Sequence, residues 1–96
     1  MSKPKYTVKF TTQFKKDYKQ ISKQGLPIQL LNSVINQLSM GMPLPTKNKD
    51  HALSGNWNGY RECHVQPDWL LIYRVDNNVL VLTLTRTGTH NELFGK

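Results

Sequence analysis

The spacing of apolar residues changes once along this chain, and that change limits the folds open to it. Between residues 14 and 38 the apolar side chains recur at helical spacing: Phe14, Tyr18 and Ile21, then Leu30, Leu31, Val34, Ile35 and Leu38. From Trp57 to Thr87 they alternate with polar ones, the period of a strand with one buried face. Helices in the first half and strands in the second bury their apolar sides against each other. The expected fold class is therefore α+β, with a helix hairpin packed on an antiparallel sheet.

Local signals place the elements. Tyr6 to Phe10 alternates and reads as a short strand. Thr11 or Thr12 can cap the helix that follows, whose outer side carries Lys15, Lys16, Lys19 and Lys23. Gly25 ends it, and Pro27 suits the first turn of a second helix, which Gly41 and Pro43 stop. The short connection makes the two helices an antiparallel hairpin. Met42 to Asn56 reads as a long loop, of the kind that carries function in small domains. Trp57–Gln66, Trp69–Val75 and Val79–Thr87 read as a three-stranded meander, turning at Pro67-Asp68 and at Asp76-Asn77-Asn78. Gly88 to Phe94 forms a tail with one helical turn. The hairpin covers one face of the sheet and leaves the other to bind something. At 96 residues, residues 1–96 make one domain, too small for a deep cofactor cavity.

Charge divides the chain as sharply as periodicity does. The net charge is +7, but residues 1–49 hold nine lysines against the single acid Asp17, and the second half is close to neutral. All three arginines, Arg61, Arg74 and Arg86, stand in that second half. A lysine field attracts a polyanion at a distance, whereas isolated arginines suit specific contacts to phosphate or carboxylate. The one cysteine, Cys63, excludes an internal disulfide and fits a reducing cytoplasm; it reads as a small packed residue rather than a nucleophile. No stretch is apolar enough to span a membrane or to serve as a signal peptide.

The chemistry-bearing residues collect after position 50. His51 lies in the loop, His64 near the end of the first meander strand, Asp68 in the turn after it, and His90 in the tail. A meander returns its last strand to the edge where the first turn lies, so these groups can meet. Such a set suits RNA cleavage by the neighbouring 2′-hydroxyl. That reaction needs a base for the hydroxyl, an acid for the leaving 5′-oxygen and positive charge on the phosphate, which Arg61 and Arg86 can supply. Histidine titrates near neutrality, so a pair can hold one proton and lack another. Each histidine alone is more often a surface or turn residue. Asp68 is by default a turn residue, and Trp57 and Trp69 packing residues. A zinc site is the rival use of three histidines, but no tight pair such as His-x-x-x-His is present. No nucleophile-elbow pattern surrounds Ser33, Ser54 or Cys63.

Four segments go further than pattern. Lys49-Asp50-His51-Ala52-Leu53-Ser54-Gly55-Asn56-Trp57, Gly59-Tyr60-Arg61-Glu62-Cys63-His64-Val65, Pro67-Asp68-Trp69-Leu70-Leu71-Ile72-Tyr73 and Arg86-Thr87-Gly88-Thr89-His90-Asn91-Glu92-Leu93-Phe94 resemble the YafQ family, within the wider RelE/ParE superfamily of toxins. The resemblance covers nearly the whole chain and is looser in the helical half. It implies a RelE-like fold and a ribosome-dependent endoribonuclease that cuts mRNA in the A site, with no cofactor and no metal. By motif, His51, His64, Asp68 and His90 match the active-site positions. His90 is then the acid, and Asp68 or His64 the base. Phe94 matches a tail aromatic that holds the substrate or the tail, and Arg86 and Trp69 match neighbours of the site. Lys49 and Arg61 join them as expected RNA contacts. Lys15, Lys16 and Lys19 are expected to dock on ribosomal RNA. The implied partner is a cognate ribbon-helix-helix antitoxin of DinJ or RelB type, through which alone operator DNA would be met. Two other functions stay open at this stage: a gyrase poison of ParE type on the same fold, and a non-catalytic RNA-binding or repressor module.

Overall fold

A computed structural model describes residues 3–95. The elements run β1 (Thr7–Phe10), α1 (Thr12–Lys23), α2 (Ile28–Ser39), β2 (His51–Ala52), β3 (Arg61–Gln66), β4 (Trp69–Asp76), β5 (Val81–Gly88) and α3 (His90–Phe94). The strands form one sheet in the order β1-β5-β4-β3-β2. β1 runs parallel to β5, and every other pairing is antiparallel. The α+β architecture expected from the periodicity is the one observed.

The caps explain the helix limits. Thr11 precedes α1, and its hydroxyl accepts the Phe14 N–H at 2.9 Å. Gly25, at φ +78°, turns the chain beyond α1. Thr89 and Glu92 form a reciprocal capping box on α3, satisfying two amide donors that a short helix would otherwise waste.

Alternation along the strands gives the sheet two different faces. Cys63, Trp69, Leu71, Tyr73, Leu82 and Leu84 point toward α1 and α2 and pack with Phe14, Ile21, Leu31, Val34 and Leu38. Leu70 and Ile72 point the other way, under Leu93 of α3, with Leu53, Trp57, Tyr60 and Phe94 around them. The face expected to be free is thus partly roofed by the tail helix and by residues 53–60.

Three boundaries differ from expectation. Residues Gly55–Trp57 form a 3₁₀ turn, and β3 begins only at Arg61. Gly59, at φ +93°, bends the chain where alternation alone suggested a strand. Val79 and Leu80 belong to the β4–β5 turn, with Leu80 in the left-handed region at φ +53°. Within the long loop a two-residue strand, β2, pairs with β3 and carries His51.

Candidate active site on the open face of the sheet

Register decides which side chains can meet. His51, Glu62, Ile72 and Arg86 are successive partners across β2, β3, β4 and β5, so they stand in one row. His64, Leu70 and Gly88 form the next row. Both rows lie on the face away from α1 and α2. Neighbouring strands are about 4.8 Å apart, so Arg86 rises roughly 10 Å from Glu62 across the Ile72 floor.

Glu62 is the centre of this arrangement. It is 4% exposed, and its Oε1 lies 3.5 Å from His51 Nε2 and 3.7 Å from His64 Nε2. The opposite nitrogens of the two rings are fixed by carbonyls. His51 Nδ1 is 2.7 Å from the Lys49 carbonyl and His64 Nδ1 is 3.1 Å from the Pro67 carbonyl. A carbonyl only accepts, so each Nδ1 carries a hydrogen. The nitrogen of each ring left free to accept a proton is therefore Nε2, facing Glu62. Lys49 adopts φ +47°, the left-handed turn that brings its carbonyl beneath His51. Asn48, buried, donates to the His64 carbonyl at 2.7 Å and ties this loop to β3. A cleft of about 370 Å³ beside His64 is lined by Lys47 and Lys49.

The other expected residues fall into distinct places. Asp68 is exposed in the β3–β4 turn, past His64. His90 opens α3, exposed, with its ring 5.3 Å from the Phe94 ring. Phe94 packs edge-on to Trp57 at 6.1 Å, and Trp57 on Tyr60 at 5.5 Å. This aromatic chain holds the tail to the sheet. The Glu92 carboxyl is held below its usual range by the Thr89 amide and by Gln24.

Two residues expected at the RNA surface do not stand there. Trp69 is 2% exposed and belongs to the covered core; its indole N–H donates to Thr87 Oγ1 at 2.9 Å. Its odd position relative to the Pro67-Asp68 turn puts it on the helix side of β4. Arg61 pairs with Tyr73, on that same side, opposite to His51 and His64. Its Nε is 3.3 Å from Asp50, which also accepts the Tyr73 hydroxyl. The Tyr73 hydroxyl, and after it the Asp50 carboxylate, raise the Arg61 pKa further, while burial raises that of Tyr73. Arg61 braces the loop before His51 from behind the sheet.

Sequence reasoning missed Glu62, Asn48 and Tyr73. Glu62 had a signal: an acid at an alternating position two residues before His64 shares its face. Cys63, between them, faces the core, where burial pushes its thiol up to about 12. Lys15 and Lys19 rim a groove of about 650 Å³ floored by Phe10, Phe14, Tyr18 and Ile35. That groove lies along α1 and α2, on the other side of the sheet from the histidines. Lys16 is exposed on α1 outside it. Among the described residues, no three His, Cys, Asp or Glu side chains stand in metal-ligand geometry.

The class is thus a small α+β domain with a His51–Glu62–His64 cluster on its open sheet face and a tail helix packed over the apolar patch beside it. Residues 6–95 match the model of the family described as bacterial toxin of type II toxin-antitoxin system, YafQ, and the chain belongs to that family. It is 40% identical over 89 residues to the mRNA interferase toxin YafQ of Escherichia coli, covering 92% of this chain and 95% of that one. Its structure superposes on the toxin in the crystal structure of the Escherichia coli DinJ-YafQ toxin-antitoxin complex with TM-score 0.87 at 39% identity, over 95% of this chain and 99% of the other. A metal-bound toxin from Helicobacter pylori matches as well, with TM-score 0.87 at 40% identity over 93% and 99% of the two chains.

Proposed function

We propose that this chain is the toxin of a type II toxin–antitoxin pair, an endoribonuclease that cuts mRNA in the ribosomal A site by acid–base catalysis without a metal. The observation that carries the chemistry is the His51–Glu62–His64 cluster, with Arg86 in the same row as His51 and Glu62 and His64 in the next. The 2′-hydroxyl gives its proton to a base, attacks the adjacent phosphorus and expels the 5′-oxygen, which takes a proton from an acid. The fixed Nδ1–H of His64 leaves its Nε2 as the base. Asp68, at the turn past it, is the second candidate for that role. His90 is the acid, placed by α3 and by its contact with Phe94. His51 shares Glu62 with His64, so a proton gained by one ring is balanced by the same buried carboxylate. Arg86 and Lys49 bring positive charge to the phosphate as it gains negative charge.

The helical side serves binding. Lys15, Lys16 and Lys19 dock on ribosomal RNA, a salt-sensitive contact. The partner is an antitoxin, as in the DinJ-YafQ complex of the relative. An acidic amphipathic segment of it suits the groove floored by Phe10 and Phe14 and rimmed by Lys15 and Lys19. An antitoxin seated there withdraws two docking lysines from the ribosome. The work takes place in the cytoplasm, where ribosomes translate. No helix among the described residues is long and apolar enough to cross a membrane.

Mapping mRNA 5′ ends in cells expressing the wild type or His90→Ala tests the reading. Ribosome-phased cuts with the wild type and none with the variant support it. Growth arrest that persists in His90→Ala without phased cuts points to a gyrase poison or a repressor and sinks it.

A further inference from the structure

Nine lysines and one acid occupy the first 49 residues, and that acid is buried. Asp17 lies on the inner side of α1 beside Ile21, where β1 has ended and β5 continues alone. β1 pairs with β5 only as far as Leu84. Beyond it Thr11 donates its hydroxyl to the Thr85 carbonyl at 2.8 Å, and the Asp17 carboxylate accepts the Thr87 N–H at 3.2 Å. A helix side chain thus completes the ladder that the missing strand would have supplied.

The same carboxylate holds Arg86 by two parallel bonds. Nε donates to Oδ2 at 2.9 Å and Nη2 to Oδ1 at 3.1 Å, and Gln13 Nε2 adds a contact at 3.1 Å. The register of β4 against β5 shifts between Ile72 and Tyr73, so β5 carries an extra residue there. Such a bulge re-aims a side chain. Here it sets Arg86 opposite Ile72, in the row of Glu62 and His51. The fork engages one edge of the guanidinium. Both N–H groups of Nη1 and the second of Nη2 are left for another anion. A cavity of about 180 Å³ borders the pair, lined by Gln20, Ile21, Thr87 and Glu92.

We propose that Asp17 is a positioning residue for the ribonuclease reaction: it fixes the guanidinium plane of Arg86 so that its free edge meets the scissile phosphate. This rests on the ribonuclease reading above. Asp17 touches no substrate and acts only through Arg86. Rigid placement matters because a donor aids the reaction only when aimed at the charge that develops, without reorganising first. Arg86 alone, at the end of a strand with no neighbour on its outer edge, would sample several rotamers.

The test is a double-mutant cycle on purified toxin and programmed ribosomes. Asp17→Asn keeps an acceptor for the Thr87 N–H but removes the charged fork. The single-turnover cleavage rate at saturating ribosomes is expected to fall about 10- to 100-fold, the size of a lost charge-assisted pair. The ribosome concentration at half-saturation stays within about twofold, because the docking lysines are untouched. In an Arg86→Ala background, Asp17→Asn adds no further loss. An Asp17→Asn toxin that cleaves at the wild-type rate overturns the inference while leaving the ribonuclease reading intact. So does a loss that adds in full to that of Arg86→Ala, since a merely structural acid would act there too. If Asp17→Asn does not fold, the wild-type protein still decides. The Arg86 Nε–H should give a resolved ¹⁵N resonance exchanging slowly with water, and exchange as fast as a free arginine refutes the fork. A wild type that leaves ribosome-bound mRNA uncut sinks the ribonuclease reading and this inference with it.

Discussion

The two faces of this sheet are made by the same strands and do opposite work. On the covered face Cys63, Leu71, Tyr73, Leu82 and Leu84 meet two helices and are almost free of solvent. On the open face the same strands present Glu62, His64, Leu70, Ile72 and Arg86, with only a small apolar patch under α3. A strand of period two lets one sequence build stability and chemistry side by side without compromise. The consequence is separability. Changes on the open face should affect rate and leave stability, and changes on the covered face should do the reverse.

The largest expected effect lies on the open face. Replacing His90 with Ala, or His64 with Ala, should lower single-turnover cleavage by about 10²- to 10⁴-fold, the range for losing a general acid or base. Both side chains lie outside the core clusters, so unfolding free energy should move by no more than about 0.5 kcal/mol for the exposed His90. Cleavage kinetics and a urea titration on the same preparations measure both. A variant that loses stability in step with activity breaks the separation of faces.

Leu71→Ala is the mirror experiment. Leu71 of β4 is fully buried in the core against α1 and α2, and its loss should cost about 2–5 kcal/mol of stability. In conditions where the variant is still folded, its cleavage rate should stay within roughly twofold of wild type. A large rate defect in the folded variant would mean that the covered core sets the geometry above it.

How much of this contrast can be read without the structure follows from what each feature depends on. The covered face is legible where burial alternates, as at Leu82 and Leu84 about Thr83, but not in Trp69 to Tyr73, which is apolar throughout and hides the side each residue takes. The helix limits are legible in Thr11, Gly25 and Pro27. The histidine set comes from local motifs, and the family resemblance holds over residues 6–95. What escapes is register. Nothing in a linear reading says that Arg86 is partnered through Ile72 to Glu62, because a one-residue bulge in β5 decides it. The same blindness put Arg61 beside Arg86 as a phosphate contact, when pairing with Tyr73 sends it to the opposite face. Trp69 was misplaced for a related reason. A turn motif shows that Asp68 and Trp69 are adjacent, not that they point apart. Asp17 was visible as a lone acid, but its partner is 69 residues away.

A smaller effect tests the roof. α3 has five residues and depends on the Thr89–Glu92 capping box. Thr89→Ala should weaken the helix by about 1 kcal/mol, seen as faster hydrogen exchange at the Leu93 and Gly95 amides, with the sheet amides unchanged. Glu92 adds a pH dependence. Its carboxyl is held low in the fold, so its support is complete above the unfolded value of about 4.3 and is lost as pH falls through the lower folded value. Acidification should therefore loosen α3 before it melts the sheet, and Glu92→Gln should remove that acid step. An α3 whose amide protection, corrected for the intrinsic exchange rate, stays the same from neutral pH to about pH 3 would show that the aromatic contacts of Phe94 and Trp57 hold it alone.

The finest test uses adjacent residues of one strand. Cys63 and His64 are neighbours in β3, yet alternation sends the thiol into the covered core and the imidazole to the open face. Burial raises the Cys63 thiol to about 12, so almost no thiolate, the reactive form, exists near neutrality. Iodoacetamide at pH 8 should leave native Cys63 unlabelled and modify it fully once the chain is denatured. Diethyl pyrocarbonate at neutral pH should reach exposed His51 and His90 first and partly buried His64 more slowly, while Cys63 in the same molecules stays blocked. Mass spectrometry of the intact toxin and of its peptides reads both. Labelling of native Cys63 at the rate of His51 modification would mean that β3 detaches from the helices often enough to expose both sides. The two faces would then share one fluctuating element, and their independence would hold only on average.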